Sequence, residues 1–237
     1  NLDGANDLYA QQFNNYLNEG NVQAAVELAA SSPNNILRTP QTIQRLQRIP
    51  KAPDQKPPLS IYFQHIIETD KLNEFESIEL SRIVLQRQGG GDYIKKLYTE
   101  GKVTASEQLG DLIKPLDPEF AMQLYLGCQS HEKIIDSLLA VGEYKRVLAY
   151  CQKVKYEPNY LDLFKKLVAV NRDVAVQFAV ELHEKGQLLD PKVVVDYFVQ
   201  YSAIKQATAY LLGILNGDRQ QDADLQTRLL EVNLLYA

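Results

Sequence analysis

The chain has 237 residues, 45% hydrophobic and 23% charged, with a formal net charge of -5, 14 Tyr, two Cys and no Trp. That length buries a sizeable core as one large domain, two small ones or one open stack. Acidic and basic residues are interspersed without a Lys/Arg block, which disfavours nucleic acid and anionic membrane as direct partners. No apolar run approaches the roughly 20 residues of a membrane span, and the segment that follows Asn1 has no signal-peptide pattern, so a soluble chain is expected. Cys128 and Cys151 stand apart on different predicted helices and no Asn-x-Ser/Thr sequon occurs. A reducing, cytosolic setting is expected.

Apolar residues recur at spacings of three and four from end to end and never settle into alternation by two, which predicts an all-α chain. The first helix runs from about Ala5 to Leu17 with Leu8, Phe13, Tyr16 and Leu17 apolar, and Gly20 supplies a left-handed stop. The second runs from Asn21 to about Ala30, where Val22, Ala25, Val26 and Ala29 form a small-residue face that admits a close neighbour. A capping residue followed by proline marks helix starts at Thr39-Pro40, Asp117-Pro118 and Asp190-Pro191. All ten prolines fall at predicted boundaries.

The segment from Ile49 to Pro58 holds four prolines and is the longest break, dividing the chain into 1–48, a connection at 49–58, and 59–237. Beyond it, Leu59, Tyr62, Phe63, Ile66 and Ile67 form one broad apolar face, followed by Leu80, Ile83 and Val84 on the next helix, and Gly89-Gly90-Gly91 closes that pair. Thr104-Ala105-Ser106-Glu107 has the spacing of a capping box. Pairs such as Phe120/Leu124, Ile134/Leu138, Val147/Cys151, Phe164/Val168, Val174/Phe178, Val194/Phe198 and Leu211/Leu215 mark the later helices. The last, from Leu225 to Ala237, is apolar nearly all round through Leu225, Leu229, Leu230, Val232, Leu234 and Leu235. It needs cover from upstream residues or from residues beyond the sequence. About fifteen helices with short connections predict stacked antiparallel hairpins, an α-solenoid.

Gly-polar-apolar punctuation recurs at Gly20-Asn21-Val22, Gly101-Lys102-Val103, Gly142-Glu143-Tyr144 and Gly186-Gln187-Leu188. Its irregular spacing fits a degenerate hairpin repeat. A tetratricopeptide array does not fit, because its tryptophan pattern and fixed period are absent.

The sequence carries no catalytic, cofactor-binding or metal-binding constellation, and no enzyme is expected. His65, His131 and His183 lack Cys or His partners at ligand spacing, and His183-Glu184 is no zincin because Gln187 stands where a second histidine is required. Gly89-Gly90-Gly91 lies between helices without the downstream Gly-Lys-Ser/Thr of a phosphate loop. Glu74, Glu76 and Glu79, and Asp222 and Asp224, read as partners of helix N-termini. The tyrosines at helix ends and turns, among them Tyr98, Tyr156, Tyr160 and Tyr201, read as packing between stacked helices.

Five stretches in order resemble the clathrin heavy chain family: Ile36 to Pro40; Leu72-Asn73 with Glu76 to Leu80; Glu107 to Lys114; Val154 to Asn159; and Leu225 to Leu234. The family usually carries a proline and an arginine-rich stretch where this chain has Ile83 and Gly89-Gly90-Gly91, and a tryptophan at or beside Tyr98. The resemblance implies the helical linker at 1–48, the connection at 49–58, and ankle and distal leg from 59 to 237. It implies a structural part in a polyhedral vesicle coat at coated pits and coated vesicles, in endocytosis and intracellular transport. The partners implied are other heavy-chain legs, light chains through a region outside this sequence, adaptor or uncoating cofactors, and the membrane only through adaptors. Two other readings stay open at this point: an α-solenoid of another trafficking or tethering complex, and a compact helical ligand-binding domain.

Overall fold

A computed structural model describes residues 2–51, 56–186, 188–215 and 222–235, with the side chains of 2–6 outside that description. Asn1, Pro53 of the proline-rich break, Gln187, and Tyr236 and Ala237, which the sequence reading put at the end of the last helix, lie outside the described residues. Among the described residues there are fifteen α-helices and no strand. The chain divides into two compact units, 1–130 and 131–237.

The first unit holds α1 (Leu2–Asn18), α2 (Val22–Ala30), a 3-10 turn at Pro33–Asn35, α3 (Pro40–Arg48), α4 (Pro58–Thr69), α5 (Glu74–Val84), α6 (Gly90–Thr99), α7 (Glu107–Ile113) and α8 (Pro118–Gly127). Its main helix contacts run α1 to α2, α2 to α4, α3 to α4 and α5, α5 to α6 and α7, and α7 to α8. The second unit holds α9 (His131–Ala140), α10 (Tyr144–Val154), α11 (Tyr160–Val170), α12 (Arg172–Glu184), α13 (Pro191–Gln200), α14 (Ile204–Ile214) and α15 (Ala223–Leu235). There α9 meets α10 and α11, α12 meets α10, α11 and α14, and α14 meets α13 and α15. Within each unit a helix packs mainly on the next or next-but-one, the nearest-neighbour pattern of an α-solenoid.

The local signals explain these elements. Thr39, Asp117 and Asp190 each accept a backbone N–H of the first turn ahead of a proline. Asn171 both ends α11 and caps α12, so that turn is a single residue. The glycine punctuation is a Schellman turn: Gly20 N–H donates to Leu17 O and Asn21 N–H to Tyr16 O, with Gly20 at φ 73°. The same paired bonds close α8 at Gln129 and α13 at Ser202, both at positive φ, where no glycine announced them. The small face of α2 receives α4, with Ala25, Val26 and Ala29 fully buried.

One expectation is corrected. Thr104 is no cap: Ser106 accepts Leu109 N–H at the start of α7, while Thr104 Oγ1 donates to Leu72 O at 2.6 Å. Of the apolar residues of the first helix, Leu8 is 66% exposed and Phe13 is buried. In α15, packed on α14, only Val232 is buried among the described residues, and Leu234 is 80% exposed.

Candidate functional site

Among the described residues the buried charge gathers at one place in the first unit. Arg38 follows the 3-10 turn and is 5% exposed, and Glu76 in the first turn of α5 is 0% exposed. A guanidinium offers five N–H donors in a fixed fork, and here all five are engaged. Nε and Nη2 grip the two oxygens of Glu76 at 3.0 and 2.6 Å. Nη1 donates to Asp70 Oδ2 at 2.5 Å and to Asn35 Oδ1 at 3.2 Å, and Nη2 also donates to Lys71 O at 2.5 Å.

Glu76 is equally committed. Besides Arg38, its Oε1 accepts Tyr62 Oη at 2.6 Å and its Oε2 accepts Asn73 N–H at 2.8 Å. Asn73 Oδ1 accepts Glu76 N–H at 3.0 Å in return, a capping box, and Asn73 Nδ2 donates to Arg38 O at 3.1 Å. The joint therefore ties the approach to α3, the body of α4, the α4–α5 connection and the first turn of α5.

Electrostatics holds Arg38, Tyr62 and Asp70 each in one state. Burial opposes the Arg38 charge, but the hydrogen bonds and charges of Glu76 and Asp70 outweigh it and keep the guanidinium protonated. Burial and then the Glu76 charge push the Tyr62 phenol far up. The Lys71 N–H and then Arg38 hold the Asp70 carboxyl below its usual range. The Arg38–Glu76 core of the cluster is closed, with all five guanidinium donors and both Glu76 oxygens engaged inside the protein, while Asp70 faces solvent at its edge. It is a latch that fixes how three helices cross.

A second set of contacts extends the latch. Thr104 N–H donates to Ser77 Oγ at 2.9 Å, and Leu72 N–H to Lys102 O at 2.9 Å, so the loop after α6 is pinned to the α4–α5 connection. Tyr125 Oη on α8 donates to Asp111 Oδ1 on α7 at 2.7 Å, and burial, then that hydrogen bond, raise its pKa.

The residues weighed as chemistry from sequence do not converge. His65 lies on α4, His183 ends α12 with Nδ1 buried and unpartnered among the described residues, and His131 Nδ1 meets Tyr150 Oη at 2.7 Å with its ring 4.8 Å from that of Tyr156. No group of three or more His, Cys, Asp or Glu among the described residues is arranged to hold a metal ion. Gly89 caps α6 and Gly90 lies buried against the Val84 carbonyl, between helices. The tyrosines named from sequence mostly pack ring on ring, Tyr98 on Phe120 and Tyr201 on Tyr197. Glu74 lies exposed in the first turn of α5 and Asp224 in that of α15. Glu76 is a helix-start partner, as its position indicated, but its burial and its partners Arg38 and Tyr62 lie 38 and 14 residues away and were missed. The spacing Asn73-x-x-Glu76 was the one signal that pointed to it.

The family profile described as Clathrin-H-link matches residues 1–66. The clathrin heavy chain of Dictyostelium discoideum is 42% identical over 239 residues, covering 100% of this chain and 14% of that protein. That of Drosophila melanogaster is 40% identical over 239 residues and clathrin heavy chain 2 of Homo sapiens 36% over 238, with the same coverage. The chain belongs to the clathrin heavy chain family, as a segment of it. It spans 14% of the length of these relatives. All five stretches that carried the resemblance lie within the aligned clathrin region. No helix among the described residues is long and apolar enough to cross a membrane.

Proposed function

We propose that the chain is a scaffold segment of a vesicle coat and not an enzyme: the linker at 1–48, the connection at 49–58 and the ankle and distal leg at 59–237 of a clathrin heavy chain leg. The observation that carries this reading is the match of the whole chain to clathrin heavy chains, and the neighbour-to-neighbour helix stacking agrees with it. In such a stack each hairpin is stabilised locally, so stiffness is local and bending accumulates by small increments. A curved coat requires that property.

Its partners are other heavy-chain legs in the lattice and, through them, adaptors and the cytosolic face of coated pits and vesicles; light chains bind outside this segment. Weak contacts between legs, engaged many at once, hold a lattice through effective concentration while each stays reversible. The exposed row Gln41, Gln44 and Gln47 on α3 suits a wet, reversible contact of this kind, as do Lys165 and Lys166 on α11.

The test is an immunoblot of the source cell with antibody raised to this chain, on total lysate and on purified coated vesicles. The expected result is a band several times heavier than 26.9 kDa, enriched with the vesicles and released by coat-stripping buffer. A soluble band near the mass of this chain, absent from the vesicles, overturns the reading.

A further inference from the structure

The apolar face expected on α4 and α5 is only partly filled. Phe63 and Leu80 are buried, but Ile67, Ile83 and Val84 remain half-buried and Tyr93 on α6 is 42% exposed. These six side chains line an open groove of about 700 Å³, wholly inside the first unit. That size lies in the range of ligand clefts, roughly 300–1,000 Å³. Ser60, Phe63 and Ile67 line it at helical spacing on α4, which at 1.5 Å per residue is ~10 Å of axis, two turns of a docked helix.

The charges at its rim choose the occupant. The Arg87 guanidinium lines the groove and has no hydrogen bond or ion pair among the described residues. Lys56 Nζ donates only to the neutral Gln64 Oε1, at 3.0 Å. Glu68, the one acidic residue lining the groove, accepts Gln64 Nε2 at 2.9 Å. Two cations without a carboxylate partner beside an apolar floor complement an anion carried next to apolar anchors, since a guanidinium binds carboxylate in a fork.

We propose that this groove docks an amphipathic helix of a partner protein, with apolar anchors at i, i+3 or i+4 and i+7 and an Asp or Glu beside them that pairs with Arg87 and Lys56. The proposal concerns this face of the isolated chain and stands or falls apart from the scaffold role.

The experiment titrates the full 237-residue chain into a fluorescein-labelled synthetic peptide of about 18 residues, long enough to be helical when docked, with Leu anchors flanked by Glu. Fluorescence anisotropy is expected to give saturable binding with Kd of ~10–100 μM. Ile83→Glu, at a half-exposed position where folding is retained, weakens binding at least about tenfold, and Tyr93→Ala, farther out, provides a second apolar probe. Arg87→Glu weakens the Glu-flanked peptide about tenfold and improves a Lys-flanked one. Absence of saturable binding overturns the proposal. So does binding unchanged by all three substitutions, or preference of the unaltered chain for the Lys-flanked peptide. If the peptide fails while sedimentation shows self-association that Ile83→Glu abolishes, the occupant is a second copy of this chain.

Discussion

The two units solve the same packing problem with different chemistry. Among the described residues every buried Ser, Thr, Arg and Glu lies in residues 1–130: Ser32, Arg38, Thr42, Glu76, Ser77, Ser81, Ser106 and Ser130. In residues 131–237 the buried side chains are apolar or aromatic, and rings meet edge to face, Phe164 with Phe198 at 5.2 Å and Tyr144 with Phe178 at 5.8 Å. A polar latch has one geometry and fails when one partner is lost. Ring packing spreads its stabilisation over contact area and many atom pairs, so it depends on no single hydrogen-bonded partner. The first unit is therefore the more sensitive to the loss of one polar partner, and the second to the loss of buried volume.

The largest expected effect breaks the latch. Arg38→Met leaves the Glu76 carboxylate buried without its cation, which costs about 3–5 kcal/mol, whereas Arg38→Met with Glu76→Leu recovers much of that loss. Denaturant unfolding of the two variants checks it. In the second unit Phe178→Ala costs about 3–5 kcal/mol through the cavity it leaves, and Leu211→Ala about 2–5. The damage is expected to stay with the helices that touch α12 and α14.

Gly110→Ala is next. An added Cβ would lie 2.3 Å from the Tyr125 ring, inside the α7–α8 contact, and overpacking of this kind costs about 1–3 kcal/mol. Thermal unfolding measures it.

A pH series sharpens the contrast. Asp70 and Asp117 both have pKa values lowered from an ordinary 3.8, Asp70 by the Lys71 N–H and Arg38, Asp117 by the Phe120 N–H and Lys95. A depressed carboxyl contributes stability that is complete above its unfolded pKa and is lost as pH falls through the folded one. Hydrogen-exchange protection, corrected for the intrinsic pH dependence of amide exchange, is expected to fall at the α4–α5 connection and the start of α8 below about pH 4 and to be flat there between pH 5 and 7. The smallest effect is Lys166→Ala, which removes an exposed pair with Asp136 at 2.5 Å and costs less than about 1 kcal/mol.

The helices were legible because their signals are local: prolines with capping residues, glycine stops and three-four apolar spacing. The turns at Gln129 and Ser202 escaped because residues without the freedom of glycine adopt positive φ there. Thr104 was misread because a hydroxyl at capping spacing also fits a long-range bond, here to Leu72 O. The latch was hidden for the same reason, since Arg38 and Glu76 meet across 38 residues and composition alone makes both look like surface charges. Periodicity placed Ile67, Ile83 and Val84 on an apolar face, but it does not report whether anything covers that face, and they are half-buried.

The most direct test of the account is native-state hydrogen exchange on Phe178→Ala, read helix by helix against the unaltered chain. A stack stabilised between neighbours predicts lost protection in α12 and in α10, α11 and α14, which contact it, with exchange in the first unit unchanged. Protection lost uniformly along the chain would mean a single cooperative core, and the account of locally stabilised hairpins would be wrong.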